Sequence, residues 1–210
     1  MRAPRILILS VCAAALLLWG CSTSSENTEM DRAAIEAALD RYAEALDWPR
    51  GTGWEEGFSP VDPATWPVEQ WEGGYEIFRS LFTDDALLDY GSLCMTIEAG
   101  LPEGTIDFLG PGDESCPVLG LRIKGSLDFF YYGITLGTQL ESETKITPTT
   151  IDIDGDTATS EDSYVHTAIL NHHLLNEPPP VTDMQEGFHL GEWAHEPDGW
   201  KLTHWEGVIE

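Results

Sequence analysis

Tyrosine and histidine side chains within apolar runs are the residues of this sequence that could carry chemistry. Acid–base catalysis needs a proton donor or acceptor in an apolar cavity, where burial shifts its pKa toward neutrality. Tyr42 meets this need on the apolar stripe of a predicted helix, where its hydroxyl could donate to a substrate oxyanion. His204 alternates with Trp200 and Leu202, which predicts a shared core face. The alternative for each is a core side chain whose polar atoms are satisfied locally.

Metal and nucleophile patterns are weak in this sequence. His189 and His195 are six residues apart, which is about 20 Å along a strand. The acids from Asp152 to Asp156 resemble a calcium loop, but Ser163 stands where the bidentate Glu is expected. GxSxG is absent, and no predicted strand precedes the glycines of GTGWEEG. We therefore predict no metal, no cofactor and no nucleophilic hydrolysis.

The charge of the chain excludes one class of partner. Its 210 residues include 37 acidic and 10 basic side chains, for a net charge of −27. Such a surface repels phosphate backbones, so nucleic-acid binding is excluded, as is attraction to anionic lipid. The length is that of one domain with a substantial core.

The N-terminus resembles an export signal. Arg2 and Arg5 precede an apolar run, so residues 1–20 are predicted to be a signal peptide, whose removal brings the net charge to −29. Leu18 to Cys21 resembles a bacterial lipobox, with Trp19 where a small residue is typical. We expect Cys21 to be lipidated and residues 21–29 to form a flexible tether. The protein would then be lipid-anchored on the extracytoplasmic side of a bacterial cell envelope, in the periplasm or at the outer membrane; the alternative is an ordinary secretion signal.

Two further cysteines remain after Cys12 and Cys21. Cys94 and Cys116 lie in one loop-like stretch, and an exported protein with two such residues suggests a disulfide. Closing this loop would contribute about 3 kcal/mol in the chain-entropy model. Two free thiols are the alternative.

The strand pattern near the C-terminus determines the predicted fold class. Thr149 to Leu170 contains two runs rich in β-formers around Asp154-Gly155, a type I′ hairpin signal. A second pair turns at Pro197-Asp198-Gly199. Helical segments precede both hairpins, which predicts an α+β protein whose helices cover one sheet.

Earlier segments supply the predicted helices. Ile35, Leu39, Tyr42 and Leu46 recur at helical spacing, which predicts helix one at about 30–47. Helix two is predicted from Pro67, with Trp71, Tyr75, Phe78 and Phe82 as its apolar stripe, and Ser126 begins a short third helix that carries Tyr131. Inserted loops are predicted at 48–66 and 92–121, the first strand at 86–90 and the main sheet from Thr144.

The order of these elements resembles a known family. The succession of an amphipathic helix, LFTDDALLDY, RIKGSLDFF, IDIDGDTATSEDSYV and DGWKLTH is similar to the SnoaL-like branch of the nuclear-transport-factor-2-like superfamily, over residues 30–210. The resemblance implies a cone-shaped curved antiparallel sheet packed against about three helices, with a deep pocket between them. The superfamily includes scytalone dehydratase and ketosteroid isomerase, and also members without known activity. Its members commonly dimerise, so a homodimer is an expectation.

The same resemblance implies site residues. LLDYGS is similar to the scytalone dehydratase strand that carries a catalytic Tyr, which places that role on Tyr90, and Asp47 matches the Asp after helix one. His166 lies on the strand of a second catalytic His, His189 at a pocket-facing position, and Lys145 where many members have a His, so it would bind an oxyanion. Tyr131 and Trp193 are expected to contact the substrate. Structural roles remain the alternative for these residues.

Two functions follow from these expectations. The first is a membrane-tethered domain that binds a small apolar molecule in its cone, with cofactor-independent acid–base catalysis of dehydration, isomerisation or cyclisation by Tyr42, Asp47, Tyr90, His166 and His189. The second is a non-catalytic binding or dimerisation module of the cell envelope. Convergence of those five side chains would favour the first, and a cone filled by core aromatics would favour the second.

Overall fold

A computed structural model of the chain describes residues 27–49, 62–94, 106–108, 119–124, 126–135, 139–170 and 181–209. The helices are α1 (27–46), α2 (Val68–Ser80) and α3 (127–135), of which Phe129–Thr135 is π-helical, and one 3₁₀ turn lies at Pro63–Thr65. The strands are β1 (Phe82–Cys94), β2 (Ile106–Phe108), β3 (Leu119–Lys124), β4 (Gln139–Asp154), β5 (Thr157–Leu170), β6 (Val181–Glu196) and β7 (Gly199–Ile209). The signal peptide, Cys21 and most of the tether lie outside the described residues.

The described strands form one sheet in the order β2-β3-β1-β7-β6-β5-β4. All neighbours are antiparallel except β1 and β7, which run parallel, with Leu88 opposite Trp205. The predicted α+β fold class is confirmed, but the sheet is mixed rather than wholly antiparallel. The reason is that β2 to β6 lie between β1 and β7 along the chain, and a connection that long permits parallel pairing.

Both C-terminal hairpins are confirmed, with a small difference in the first turn. Asp154 pairs with Thr157, so the two loop residues are Gly155 and Asp156 rather than Asp154 and Gly155. Gly155 has a φ of 63°, a left-handed conformation that glycine adopts without steric cost. The turn therefore uses the predicted glycine one position earlier in the loop.

The helices cover the inner face of the sheet. The predicted stripe of α1 is buried, and the ring of Tyr42 contacts Phe82 of β1 and Trp205 of β7. At the two ends of α1, the Trp200 Nε1 donates to Asp31 Oδ1 at 3.1 Å and the Tyr131 Oη donates to the Ala45 carbonyl at 3.2 Å. Hydrogen bonds at both ends therefore hold α1 on the sheet and close to α3.

Two boundaries differ from the prediction near the centre of the sheet. α2 ends at Ser80, and Phe82 begins β1 instead of completing the helical stripe. The backbone N–H of Leu202 donates to the Leu81 carbonyl at 2.8 Å, which draws this segment into the sheet. The predicted loop at 92–121 also contains β2 and the start of β3, because β1 provides a neighbour for β3 that local sequence does not reveal.

The proline within β4 is compatible with its place in the sheet. β4 is an edge strand, and its pairing with β5 shifts between Pro148 and Thr150. A proline cannot donate to a strand ladder, so an edge position beside a bulge is where one is tolerated. β4 begins at Gln139, five residues before its predicted start.

Candidate functional site

A chain of hydrogen bonds on the inner face links α1 to β4 and β5. The Thr144 Oγ1 donates to Asp47 Oδ1 at 2.7 Å, and the Thr144 backbone N–H donates to Asp47 Oδ2 at 2.7 Å. Ser142 Oγ also donates to Asp47 Oδ1, at 3.0 Å. The same Thr144 Oγ1 lies 2.8 Å from Nδ1 of the buried His166. Asp47, at the C-terminus of α1, is thereby connected to His166 through one hydroxyl group.

The direction of each hydrogen bond follows from counting protons. An ionised carboxylate only accepts, so the single hydroxyl hydrogen of Thr144 is used on Asp47. Nδ1 of His166 must then carry the hydrogen shared with Thr144 Oγ1. In a neutral imidazole this leaves the lone pair on Nε2, the arrangement that a general base requires.

The ring of Tyr164 lies between two histidines. Its centroid is 5.9 Å from the ring of His166, nearly parallel to it, and 4.4 Å from the ring of His189. Tyr164 Oη donates to Gln185 Oε1 at 3.2 Å. Both Tyr164 and Gln185 are half-buried, whereas the two histidines are almost fully buried. Solvent therefore reaches the inner face at Tyr164, next to His166.

His189 lies deeper, among aromatic rings. Its ring is 4.5 Å from that of Trp205 and 6.1 Å from that of Tyr42. Burial, reinforced by the nearby His166, lowers the pKa of His189 to about 3. The ring is therefore neutral at neutral pH, and Tyr42 contacts it as part of the aromatic core.

A second polar group occupies the inner face beyond His189. Asp162 is 1% exposed, and burial raises its pKa to about 6 against the opposing hydrogen bond from Ser160. The Ser160 Oγ donates to Asp162 Oδ2 at 3.0 Å, and the Trp193 Nε1 donates to Ser160 Oγ at 3.0 Å. Trp193, an expected substrate contact, thus positions a buried carboxylate. Sequence reasoning missed Asp162, although its place in the alternation Ala158, Ser160, Asp162 could have shown it facing inward.

The structure brings together four of the five expected catalytic residues. Asp47, His166, His189 and Tyr42 form one continuous series of contacts through Thr144 and Tyr164. The side chain of Tyr90 lies outside the described residues, although its backbone pairs with Gly207. The roles of these residues remain predictions.

Two expected substrate contacts lie elsewhere. Lys145 is exposed and is paired with Val165 on the outer face, because its neighbour Thr144 takes the inward position. This corrects the expectation that Lys145 binds an oxyanion inside the cone. Tyr131 is fully buried, with its ring 5.1 Å from that of Phe78, so it packs in the core between α2 and α3.

His204 faces away from the cone, contrary to the prediction. The β6–β7 register pairs Glu192 with His204 but Trp193 with Leu202, so Thr203 is an extra residue in β7. This bulge reverses the alternation after Leu202. His204 Nδ1 is 3.5 Å from Glu192 Oε1, in an outer-face cleft of about 390 Å³ that Asp152, Glu161 and Glu206 also line.

The outer face of the sheet also carries an apolar patch. It consists of side chains on three neighbouring strands that are 37% to 64% exposed: Val165, Met184, Phe188, Leu190 and Val208. Phe188 and Val208 are directly opposite each other across β6 and β7. Exposed apolar side chains grouped on one sheet face suggest an interaction surface, with Glu186 between Met184 and Phe188.

Three expectations concern the disulfide, metal binding and membrane spans, each of which is assessed only over the described residues. Cys116 and the side chain of Cys94 lie outside the described residues, so the disulfide stays a prediction. Within the described ranges, no group of three His, Cys, Asp or Glu side chains could hold a metal ion. Among the helices described, none has the length and apolar character of a membrane span.

Comparisons with known proteins show the fold. No family model matches the chain, and no curated protein does. Among solved structures, the chain is similar to a nuclear-transport-factor-2-like superfamily protein from Salmonella enterica, with 17% identity and a TM-score of 0.50 over 89% of this chain and 92% of that one. It is also similar to the Kfla4162 protein from Kribbella flavida, with 18% identity and a TM-score of 0.54 over 87% and 93%. A third similar structure is hexachlorocyclohexane dehydrochlorinase LinA-type3 from Novosphingobium barchaimii, with 12% identity and a TM-score of 0.54 over 89% and 90%.

Proposed function

We propose that this nuclear-transport-factor-2-like fold binds a small, largely apolar molecule on its inner face beside Tyr164 and uses His166 as a general base. The observation that carries the proposal is the hydrogen-bonded series Asp47–Thr144–His166, buried at its histidine end. The reaction class is cofactor-independent proton transfer that leads to dehydration, isomerisation, cyclisation or a related elimination.

The proposed step moves one proton and one electron pair. Nε2 of His166 takes a proton from a carbon next to a carbonyl group or next to a carbon that bears a leaving group. The C–H electron pair then forms an enolate, or forms a double bond as the leaving group departs. The resulting imidazolium is stabilised by the negative charge of Asp47, relayed through Thr144, in the low dielectric of the site.

A fold neighbour supports this class of reaction. One similar structure is named as a hexachlorocyclohexane dehydrochlorinase. Removal of HCl from a small apolar molecule consists of proton abstraction with loss of a leaving group. That neighbour therefore supports the same chemical class for the present chain.

Deuterium exchange tests the proposed base without knowledge of the substrate. Small cyclic ketones incubated with the chain in D₂O should exchange their α-protons faster than in buffer, as followed by proton NMR. His166→Gln should reduce the enzymatic rate by about 10²-fold or more, because a positioned general base contributes about 10²–10⁴. His195→Gln is the matched control, because His195 is exposed at the end of β6. Equal rates in both variants, or no exchange above buffer, would contradict the proposal.

Membrane tethering belongs to the proposal as well. Its support is the N-terminal sequence, in which Cys21 follows a basic start and an apolar run. Two outcomes are expected: acylated wild-type chain in the membrane fraction of a bacterial host, and Cys21→Ser in the soluble fraction. Mass spectrometry of the N-terminus would test the lipid directly, and an unmodified Cys21 would refute the anchor.

A second candidate function is a non-catalytic binding or dimerisation module. The observation that favours it is the apolar patch on the outer face, which is available to a second copy of the chain. Aromatic packing of Tyr42, Phe78, Phe82 and Trp205 on the inner face also agrees with this candidate.

A further inference from the structure

Two buried polar side chains without a full set of hydrogen bonds occupy opposed positions on the inner face. Asp162 and His189 are directly opposite each other on β5 and β6, and they are 1% and 2% exposed. Side chains in such pairs have their Cβ atoms about 5 Å apart. Within the described part of the chain, neither Asp162 Oδ1 nor His189 Nδ1 has a hydrogen-bond partner. Buried polar atoms of this kind are uncommon and call for an explanation.

The surrounding residues position the Asp162 side chain but donate a hydrogen bond to only one of its two carboxylate oxygens. Ser160 donates to one carboxylate oxygen only, and Trp193 in turn donates to Ser160. Gly191 makes this arrangement possible, because a Cβ there would lie 2.8 Å from both Ser160 Oγ and Trp193 Nε1. One oxygen of Asp162 is therefore fixed, and the other remains available to a donor.

The protonation of His189 limits which ligand group could form hydrogen bonds with both His189 Nδ1 and Asp162 Oδ1. Because burial and His166 hold the pKa of His189 low, its ring is neutral and has one donor and one acceptor nitrogen. With the hydrogen on Nδ1, the ring can donate to an oxygen that itself donates to Asp162 Oδ1. A hydroxyl group makes both bonds, whereas a carbonyl makes one of them and a methyl group neither.

We propose that Asp162 and His189 form a subsite that binds a hydroxyl group at the far end of the bound molecule. The inference rests on the proposed function in that the inner face must bind a small molecule. His166 and Asp162 are four residues apart on β5, which is about 13 Å along the strand. Tyr164 lies between them, so the bound molecule would extend along its ring. The ligand class is thus an aromatic or alicyclic alcohol or phenol about two rings long.

A pair of matched probes tests the subsite. 2-Naphthol and 2-methylnaphthalene have nearly the same shape, but only the first has a hydroxyl group. The wild-type chain should bind 2-naphthol about tenfold or more tightly than 2-methylnaphthalene, as expected of hydrogen bonds to a charged group. Titration followed by ¹⁵N NMR of the histidine rings gives both affinities, and Nδ1 of His189 should shift with 2-naphthol alone.

The variants separate the subsite from the rest of the proposal. In Asp162→Leu the two affinities should become nearly equal, and His189→Phe is a second variant should Asp162→Leu not fold. Glu161→Gln, which changes an exposed carboxylate on the opposite face, should keep the wild-type preference. The inference would be overturned if the wild type bound both probes equally or bound neither. It would also be overturned by an unchanged preference in both subsite variants, or by a bound water that persists between the two side chains in the complex. His166→Gln should lose proton exchange yet keep the preference, so loss of the base and loss of the subsite are distinguishable.

Discussion

The hydroxyl oxygen of Thr144 lies 2.8 Å from Nδ1 of His166, on the neighbouring strand and directly opposite it. Because this hydroxyl also donates to Asp47, it determines which nitrogen of His166 carries the hydrogen. Thr144 is therefore a positioning residue in the proposed mechanism, although nothing in its local sequence identifies it.

Thr144→Val should separate the hydroxyl from the backbone contact. Valine keeps the backbone N–H bond to Asp47 but removes both side-chain bonds, so the free energy of unfolding should fall by about 1–3 kcal/mol. Urea denaturation measures that loss, and ¹⁵N NMR should show His166 with a mixture of tautomers. Thr144→Ser restores the hydroxyl and should restore a single tautomer. A single Nδ1–H tautomer in the valine variant would refute the positioning role.

Asp47→Asn should weaken proton transfer without abolishing it. The amide removes the charge that stabilises the imidazolium, and it accepts through one oxygen instead of two. We expect the exchange rate of cyclic ketones to fall by about tenfold or more, less than for His166→Gln. Glu44→Gln changes an exposed carboxylate one turn earlier on α1 and should have no effect. If both variants retained the full rate, Asp47 would not assist His166.

The pH dependence of stability should reveal two opposing groups. Asp162 has a pKa of about 6 against 3.8 when unfolded, so its contribution is present below pH 3.8 and is lost as the pH rises through 6. His189 has a pKa of about 3 against 6.5, so its contribution is present above pH 6.5 and is lost as the pH falls toward 3. Each slope is about 1.4 kcal/mol per pH unit, and the two have opposite signs between pH 4 and 6.

Substitution of either Asp162 or His189 should therefore expose the pH dependence of stability that the other residue causes. On acidification from pH 6 to 4, Asp162→Asn should lose about 2 kcal/mol more stability than the wild type, and His189→Phe about 2.5 kcal/mol less. Urea denaturation at several pH values measures both differences. Asp152→Asn, which changes an exposed carboxylate of β4, should follow the wild type. Parallel curves for all four proteins would show that neither group titrates as described.

Gly74→Ala should destabilise the chain although alanine favours helices. An added Cβ would collide with Tyr131 Oη and would lie 2.6 Å from Trp48 Cγ. At an open helical site the same change would stabilise by about 1 kcal/mol. We expect a loss of about 1–3 kcal/mol instead, because the displaced atoms belong to a packed core. Thermal unfolding measures the loss, and the exposed Glu72→Ala on the same helix is the control; a stabilised Gly74→Ala would contradict this packing.

A homodimer through the apolar patch should depend on Phe188 and Val208. If the wild type sediments as a dimer, the double change Phe188→Ser with Val208→Ser should shift it to a monomer, since it removes opposed apolar side chains at the centre of the patch. The high negative charge predicts that lowering the salt concentration also favours the monomer. Val68→Ser removes an exposed apolar side chain of α2 and should leave the mass unchanged. A wild-type monomer at all concentrations would exclude this dimer.

Local sequence patterns were sufficient for most of the elements, whereas most residues of the candidate site were indicated by the family resemblance. The 3.6-residue spacing of Ile35, Leu39 and Tyr42 predicts the buried face of α1, and the two glycine-containing turns predict both hairpins. Such periodicities depend on one element at a time, so they can be read without the rest of the chain.

Contacts between distant elements required the tertiary structure. Thr144 donates a hydrogen bond to Asp47, which is 97 residues away in the sequence. Local sequence around Thr144 gives no indication of this partner. The bulge at Thr203 turns His204 outward, and no local signal marks the extra residue. Alternation could place Asp162 on the inner face, but its burial and raised pKa follow from the packing of that face in the folded protein. The sequence by itself determined which elements form and which faces are apolar, whereas register and burial, which depend on all elements at once, decided which polar groups meet.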